Sequence, residues 1–176
     1  MMTVEQFVQM DPENTEAYEL VEGDLIPLPS QTPIHSEIRG LVTYLLREYF
    51  NSNPIGQALG GVDCQFGENT VRRPDVSIFL DMERLRQIDQ DKIPVPFAPD
   101  IAVEVLAPPD LAVDVRRRVR DYLRAGSKEV WLLDEANGEV DVDTATGIRV
   151  LQGSDTLESA LLPGFSATVA ELVVNI

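Results

Sequence analysis

Two apolar runs carry the acidic residues with the best prospects for chemistry. "RPDVSI" at 73–78 and "APDIAV" at 98–103 each set Pro-Asp at the head of a β-branched run, and the second continues as "EVLAP", with Glu104 in its middle. A run of this composition, closed by proline at both ends, reads as a buried strand of a sheet covered on both faces. An unpaired charge inside such a strand is costly, so Glu104 must be paired, protonated or bound to a metal. Ile101, Val103 and Val105 take one face of the strand, and Ala102, Glu104 and Leu106 the other. If the two runs are neighbouring strands, Asp75 and Glu104 reach a shared point. Two carboxylates so close repel each other and attract a hard cation such as Mg²⁺ or Mn²⁺. In the plainer alternative, Asp75 caps a turn and Glu104 pairs with an arginine from the next helix.

The elements that must hold these residues follow from spacing and caps. Thr3 to Gln6 fits a capping box ahead of a short helix. "AYELVEGDLIPLP" alternates about Glu22-Gly23 and predicts a hairpin across 17–28. Thr32 is a cap before Pro33, and Ile38, Leu41, Val42, Leu45, Leu46 and Tyr49 recur at helical spacing. The longest helix therefore starts there and ends by Pro54. Residues 55–80 read as strands separated by glycine, and 110–125 as a helix with Asp110 as its N-cap and Gly126 past its end. "KEVWLLD" is another buried strand, with Trp131 assigned to core packing. "GEVDVDTA" and "GIRVLQ" form a hairpin, and "LLPGFSATVAELV" ends in a short helix. Strand, helix and strand over 100–134 make a right-handed βαβ crossover with parallel pairing. The fold class is α/β with antiparallel additions, in one domain over 1–176 without internal repeats.

Composition narrows the partners. The chain of 176 residues is 44% hydrophobic, enough for a core, and its 14 basic against 30 acidic residues give a formal charge of −16. That charge opposes loose attraction to nucleic acid or to an anionic membrane. Arginines nevertheless cluster, with Arg116, Arg117, Arg118, Arg120 and Arg124 on one predicted helix and Arg72 and Arg73 just ahead of Asp75, which predicts local positive potential. Cys64 stands alone, so a disulfide framework and a cysteine metal knuckle are excluded and a small buried hydrophobe is expected. No apolar run of about 20 residues exists, and "MMTVEQFVQMDPEN" lacks the charge and apolar core of a leader; the expectation is a cytoplasmic protein without a membrane segment. No Gly-rich phosphate loop or nucleophile elbow recommends a small-molecule hydrolase, and no helix-turn-helix or zinc finger offers sequence-specific readout.

The ordered motifs carry a resemblance. "AYELVEGDL", "TPIHSEI", "RPDVSIF", "APDIAVEVLAP", "VRRRVRDYLRAGSKEVWLLD" and "LLPGF", across about residues 3 to 173, resemble the restriction endonuclease family of the Uma type within the PD-(D/E)XK nuclease superfamily. The resemblance implies a restriction-endonuclease-like core, a mixed central sheet flanked by helices. It also implies a DNA phosphodiester-cleaving site dependent on Mg²⁺ or Mn²⁺. Asp75 then matches the aspartate of the Pro-Asp motif and Glu104 the second acidic position, both as metal ligands. The family's acidic residue in the first hairpin falls on Glu19, which would complete the metal shell or bind a metal-bound water. Its histidine at the start of the long helix falls on His35, which would accept a proton or contact phosphate. A homodimer is expected, because a double-strand cut needs two sites.

One position departs from the pattern. The superfamily's lysine ordinarily lies two residues after the second acid, where this chain has Leu106. The family resembled here moves it to the following helix, four residues before a tyrosine, which is Arg118 ahead of Tyr122. On an ideal helix Leu111, Val115, Val119 and Tyr122 form the core stripe. Arg118 lies roughly 80° from its centre. Arg116 borders the other edge, while Arg117, Arg120 and Arg124 point outward. Arginine stays protonated where a lysine can give up its proton, so Arg118 is expected to stabilise charge rather than to move protons. The competing expectation is a weak or inactive nuclease fold that serves as an interaction or dimerisation module. A surface pair between Arg118 and Asp114 is the simpler alternative for this side chain.

Overall fold

A computed structural model describes residues 1–173 of the chain. It begins with α1 (Val4–Val8), opened by the reciprocal Thr3–Gln6 capping box, and α2 (Pro12–Ala17). The hairpin of β1 (Tyr18–Val21) and β2 (Asp24–Pro27) turns at Glu22 and Gly23, whose φ values of 51° and 87° are those a two-residue primed turn demands. The longest helix, α3 (Pro33–Ser52), is capped by Thr32 and buries Ile38, Val42, Leu46 and Phe50, one residue per turn. Then come β3 (Gln57–Gly60), β4 (Cys64–Gly67), β5 (Thr70–Arg72), β6 (Val76–Phe79), the short α4 (Met82–Gln87) and β7 (Ile101–Val105). Next are α5 (Ala112–Arg124), β8 (Glu129–Asp134), β9 (Glu139–Thr144) and β10 (Gly147–Gln152). The described part closes with β11 (Thr156–Leu157), β12 (Ala167–Thr168) and α6 (Val169–Leu172).

The central sheet has six strands in the order β10-β9-β8-β7-β6-β3. It is mixed: β7 and β8 are parallel and joined through α5, and every other pairing is antiparallel. One face presents Val76, Ile78, Ile101, Val103, Val105, Trp131 and Leu133 to α3 and α6. The other presents Phe79, Ala102, Val130 and Leu132 to Val115, Val119 and Tyr122 of α5 and to Cys64 and Phe66 of β4. With both faces covered, β6 and β7 are buried at every position, which is why they read as unbroken apolar runs. A second, antiparallel sheet, β2-β1-β5-β4, packs Leu20 and Val71 on Phe7 of α1.

Two details differ from the spacing argument. The helix expected from residue 110 begins at Ala112, because the Asp110 carboxylate accepts from Ala107 N–H at 2.7 Å and so closes the preceding turn instead of capping the helix. Leu111 takes the N-cap position outside the helical turn, so counting 100° per residue does not apply to it, and it is 63% exposed rather than on the core stripe. Beyond these, the β11–β12 ladder has no signature in the sequence, since strands of two residues are too short to carry an alternating pattern. Replacing Leu132 by alanine is predicted to cost about 2–5 kcal/mol in urea unfolding, by transfer and cavity effects, whereas Leu111→Ala stays within about 0.5 kcal/mol.

Candidate active site

The β6–β7 register pairs Val76 with Val103, so one step outward sets Asp75 opposite Glu104. Both are buried, at 7% and 5% exposure. Asp75 Oδ2 accepts from Val105 N–H at 2.8 Å and lies 3.1 Å from His35 Nε2. Because a carboxylate oxygen only accepts, this contact puts the ring proton on Nε2. The Thr32 hydroxyl accepts from His35 N–H at 3.3 Å, so the cap that starts α3 also brings the histidine to the strand ends. On the far side Glu104 Oε1 accepts from the Tyr122 hydroxyl, and Glu104 Oε2 lies 3.4 Å from Arg118 Nη1. Arg118 and Tyr122 are four residues apart on α5 and share one face of it.

Glu19 in β1 approaches from the second sheet. Its Oε1 accepts from Arg73 N–H at 2.8 Å and its Oε2 from Arg72 Nη1 at 3.0 Å. Arg72 also grips Asp121 of α5 at 2.6 Å, and Arg73 grips Asp63 at 2.7 Å, so this ion-pair ring locks the small sheet onto the helix. A cavity of about 210 Å³ results, with Glu19, His35, Arg39, Asp75, Glu104 and Arg118 among its lining residues.

Burial dominates the electrostatics. It pushes the Glu104 carboxyl up to about 8, against the attraction of Arg118, with Asp75 adding repulsion and the Tyr122 hydrogen bond opposing it. Arg118 stays a cation, because Glu104 beside it raises its pKa by more than burial lowers it. Burial, and then Glu104, lift the Tyr122 hydroxyl well above its ordinary value, so it donates as a neutral phenol.

The donor set suits a hard divalent cation. Asp75 Oδ1 makes no hydrogen bond among the described residues, and Glu104 Oε2 has only its long contact with Arg118. Among those residues no group of three or more histidine, cysteine, aspartate or glutamate side chains is arranged to hold a metal. Mg²⁺, however, is usually bound by one or two carboxylates and completed by water and substrate phosphate.

Four of the five residues singled out in the sequence, Asp75, Glu104, Arg118 and His35, therefore meet at one cavity. Glu19 joins its wall with both oxygens engaged by Arg72 and Arg73, an arrangement unlike that of a metal ligand. Arg118 turns to Glu104 and not to Asp114, so the arginine half of the plainer alternative is realised. The expected positive patch is largely neutralised: Arg72, Arg73, Arg116 and Arg117 are paired with Glu19 and Asp121, Asp63, Asp141 and Asp143, and Glu22. Spacing missed two residues. It places Tyr122 on the core stripe alone, although a buried tyrosine hydroxyl needs a polar partner. Arg39 lies four residues beyond His35, on the same helix face, which was the available signal.

The model of the Uma2 family, described as "Putative restriction endonuclease", matches residues 4–170. The chain belongs to this family. A crystal structure titled as a putative nuclease belonging to DUF820, from Anabaena variabilis, has the same fold, with a TM-score of 0.85 and 22% identity over 98% of each chain. No curated protein matches this chain. Within this Uma2 member, Glu104 yields a linkage prediction. Its raised pKa means that the folded state binds more protons than the unfolded one between about 4.5 and about 8. Its contribution to stability is thus fully present below the unfolded value and lost as pH rises through about 8. In metal-free urea titrations the wild type should lose stability across that window relative to Glu104→Gln, and parallel curves would contradict the assignment.

Proposed function

We propose that this protein is a divalent-cation-dependent endonuclease that hydrolyses DNA phosphodiester bonds, with Asp75 and Glu104 as the residues that would hold Mg²⁺ or Mn²⁺. The observation that carries this reading is the convergence of these two buried carboxylates, on adjacent strands, at a cavity also faced by His35 and Arg118. Membership of the Uma2 family supports it in kind. A divalent cation there supplies Lewis acidity toward the phosphodiester and lowers the pKa of water.

The chain's own groups do the rest. Val105 N–H and His35 Nε2 hold Asp75 Oδ2, which leaves Oδ1 free to ligate a cation. Tyr122 fixes Glu104 through one oxygen and leaves the other for the same purpose. Glu19 acts as a positioning residue through Arg72 and Arg73. Arg118, a permanent cation with a planar fork of donors, stabilises the charge that builds on the non-bridging oxygens during attack and takes no proton from water. His35 orients Asp75 in this account, in place of the proton acceptor the resemblance suggested.

A second reading has one specific observation in its favour. Arg118 already gives Glu104 a countercharge 3.4 Å away, which is what a nuclease fold without catalytic metal requires. Such a protein would serve as an interaction or dimerisation module.

Supercoiled plasmid and single-stranded DNA in Mn²⁺ at low salt separate the two readings. The wild type is expected to nick or degrade DNA, with activity reduced more than about a hundredfold in Asp75→Asn and Glu104→Gln, since even outer-shell changes at metal sites cost about 10–100-fold. Arg118→Lys should retain cleavage and Arg118→Ala lose it. A folded wild type that leaves both substrates intact sinks the nuclease reading in favour of the second.

A further inference from the structure

Arginines at least partly withdrawn from solvent in this chain are matched with carboxylates almost without exception. Arg72, Arg73, Arg116 and Arg118 each have one within 3.4 Å. Arg39 is half-buried, and among the described residues it has neither an ion pair nor a side-chain hydrogen bond. It lines the same cavity as Asp75 and Glu104. Its Nη1 lies 3.7 Å from the point where a Cβ on Gly61 would stand, so the guanidinium rests against bare main chain at a residue with φ +60°. Gly61 N–H in turn donates to the Asp75 carbonyl at 3.0 Å, which brings Arg39 beside the strand end that carries the candidate metal ligand.

We propose that Arg39 is a phosphate-binding residue of this cavity, its guanidinium receiving two non-bridging oxygens of a phosphate ester. Three features of the surroundings agree. A half-buried guanidinium without a countercharge has its donors free for a ligand, and its planar fork matches phosphate oxygens pairwise. Arg118 Nε is also buried without a partner, so the same cavity holds a further unmet donor. The N-terminus of α3, a helix of 20 residues, opens to the cavity at Thr32 and adds the positive end of its dipole. The carboxylates in the wall do not substitute for the ligand: among the described residues Glu19 pairs with Arg72, Glu104 with Arg118 and Asp75 with His35, and none of them forms an ion pair with Arg39. The phosphate class stands on the surroundings of Arg39 alone; that the phosphate belongs to a nucleic acid rests on the nuclease reading.

The test reads the guanidinium directly. The Nε–H resonance of Arg39, assigned by its loss in Arg39→Lys, is followed as inorganic phosphate is added at constant ionic strength against a chloride control. A saturable shift with phosphate alone is expected. Fluorescence anisotropy with labelled single-stranded DNA, in Ca²⁺ in place of Mg²⁺, then separates the sources. Arg39→Gln should weaken binding about tenfold or more and lower the salt slope by about 1, Arg39→Lys should restore part of the affinity, and the outward-facing Arg120→Gln should change it far less. A flat phosphate titration overturns the proposal, as does DNA binding by Arg39→Gln with wild-type affinity and slope. A phosphate shift in a protein that cleaves no DNA keeps the Arg39 site and removes the nuclease reading. Cleavage by a protein whose Arg39 ignores phosphate does the reverse.

Discussion

Two carboxylates face each other across adjacent strands of a sheet covered on both sides, and their desolvation dictates what surrounds them. Asp75 draws Val105 N–H and His35; Glu104 draws Tyr122 and Arg118. Removing one partner of a buried pair typically costs about 3–5 kcal/mol, because the remaining charge is left uncompensated. The start of α3, the middle of α5 and the ends of β6 and β7 are therefore tied to one point. The Arg72–Glu19–Asp121 and Arg73–Asp63 pairs extend the same solution outward and attach the second sheet.

The charge of −16 takes on a different meaning in this setting. Arginines that look in sequence like a basic patch are mostly used to neutralise the protein's own acids, so the chain offers a polyanion little unspent positive charge. In the proposed account a phosphate entering the cavity meets Arg39 and the α3 N-terminus together with the carboxylate pair, all of which line it. On the same account a divalent cation held by Asp75 and Glu104 would cancel the negative charge of that pair. Nucleic-acid binding then depends on the cation as much as on side chains, and is expected to be sensitive to salt.

Much of this arrangement was legible in the sequence, for physical reasons. β6 and β7 are buried on both faces, so their composition announces them and the lone glutamate stands out. The Thr32-Pro33 cap and the Glu22-Gly23 turn depend on neighbouring residues alone, and both stand where their chemistry puts them. Helix geometry separates Arg116 and Arg118, which reach acidic partners beside the sheet, from Arg117, Arg120 and Arg124, which face outward. What failed depended on contacts distant in sequence. Asp110 has two donors within reach, Ala107 N–H and the helix start, and local pattern cannot say which it takes. The commitment of Glu19 to Arg72 and Arg73 is set by strand pairing across more than 50 residues of chain, beyond the reach of any motif.

The central claim is that the Asp75–Glu104 pair exists to bind a divalent cation. Calorimetric titration of Mn²⁺ into the wild type, Asp75→Asn and Glu104→Gln, each shown to be folded by circular dichroism, tests it most directly. The account predicts one site in the wild type, weakened more than about tenfold by either substitution. Absence of Mn²⁺ binding to the wild type, or binding indifferent to both substitutions, would contradict it and leave the pair as a structural device neutralised by Arg118.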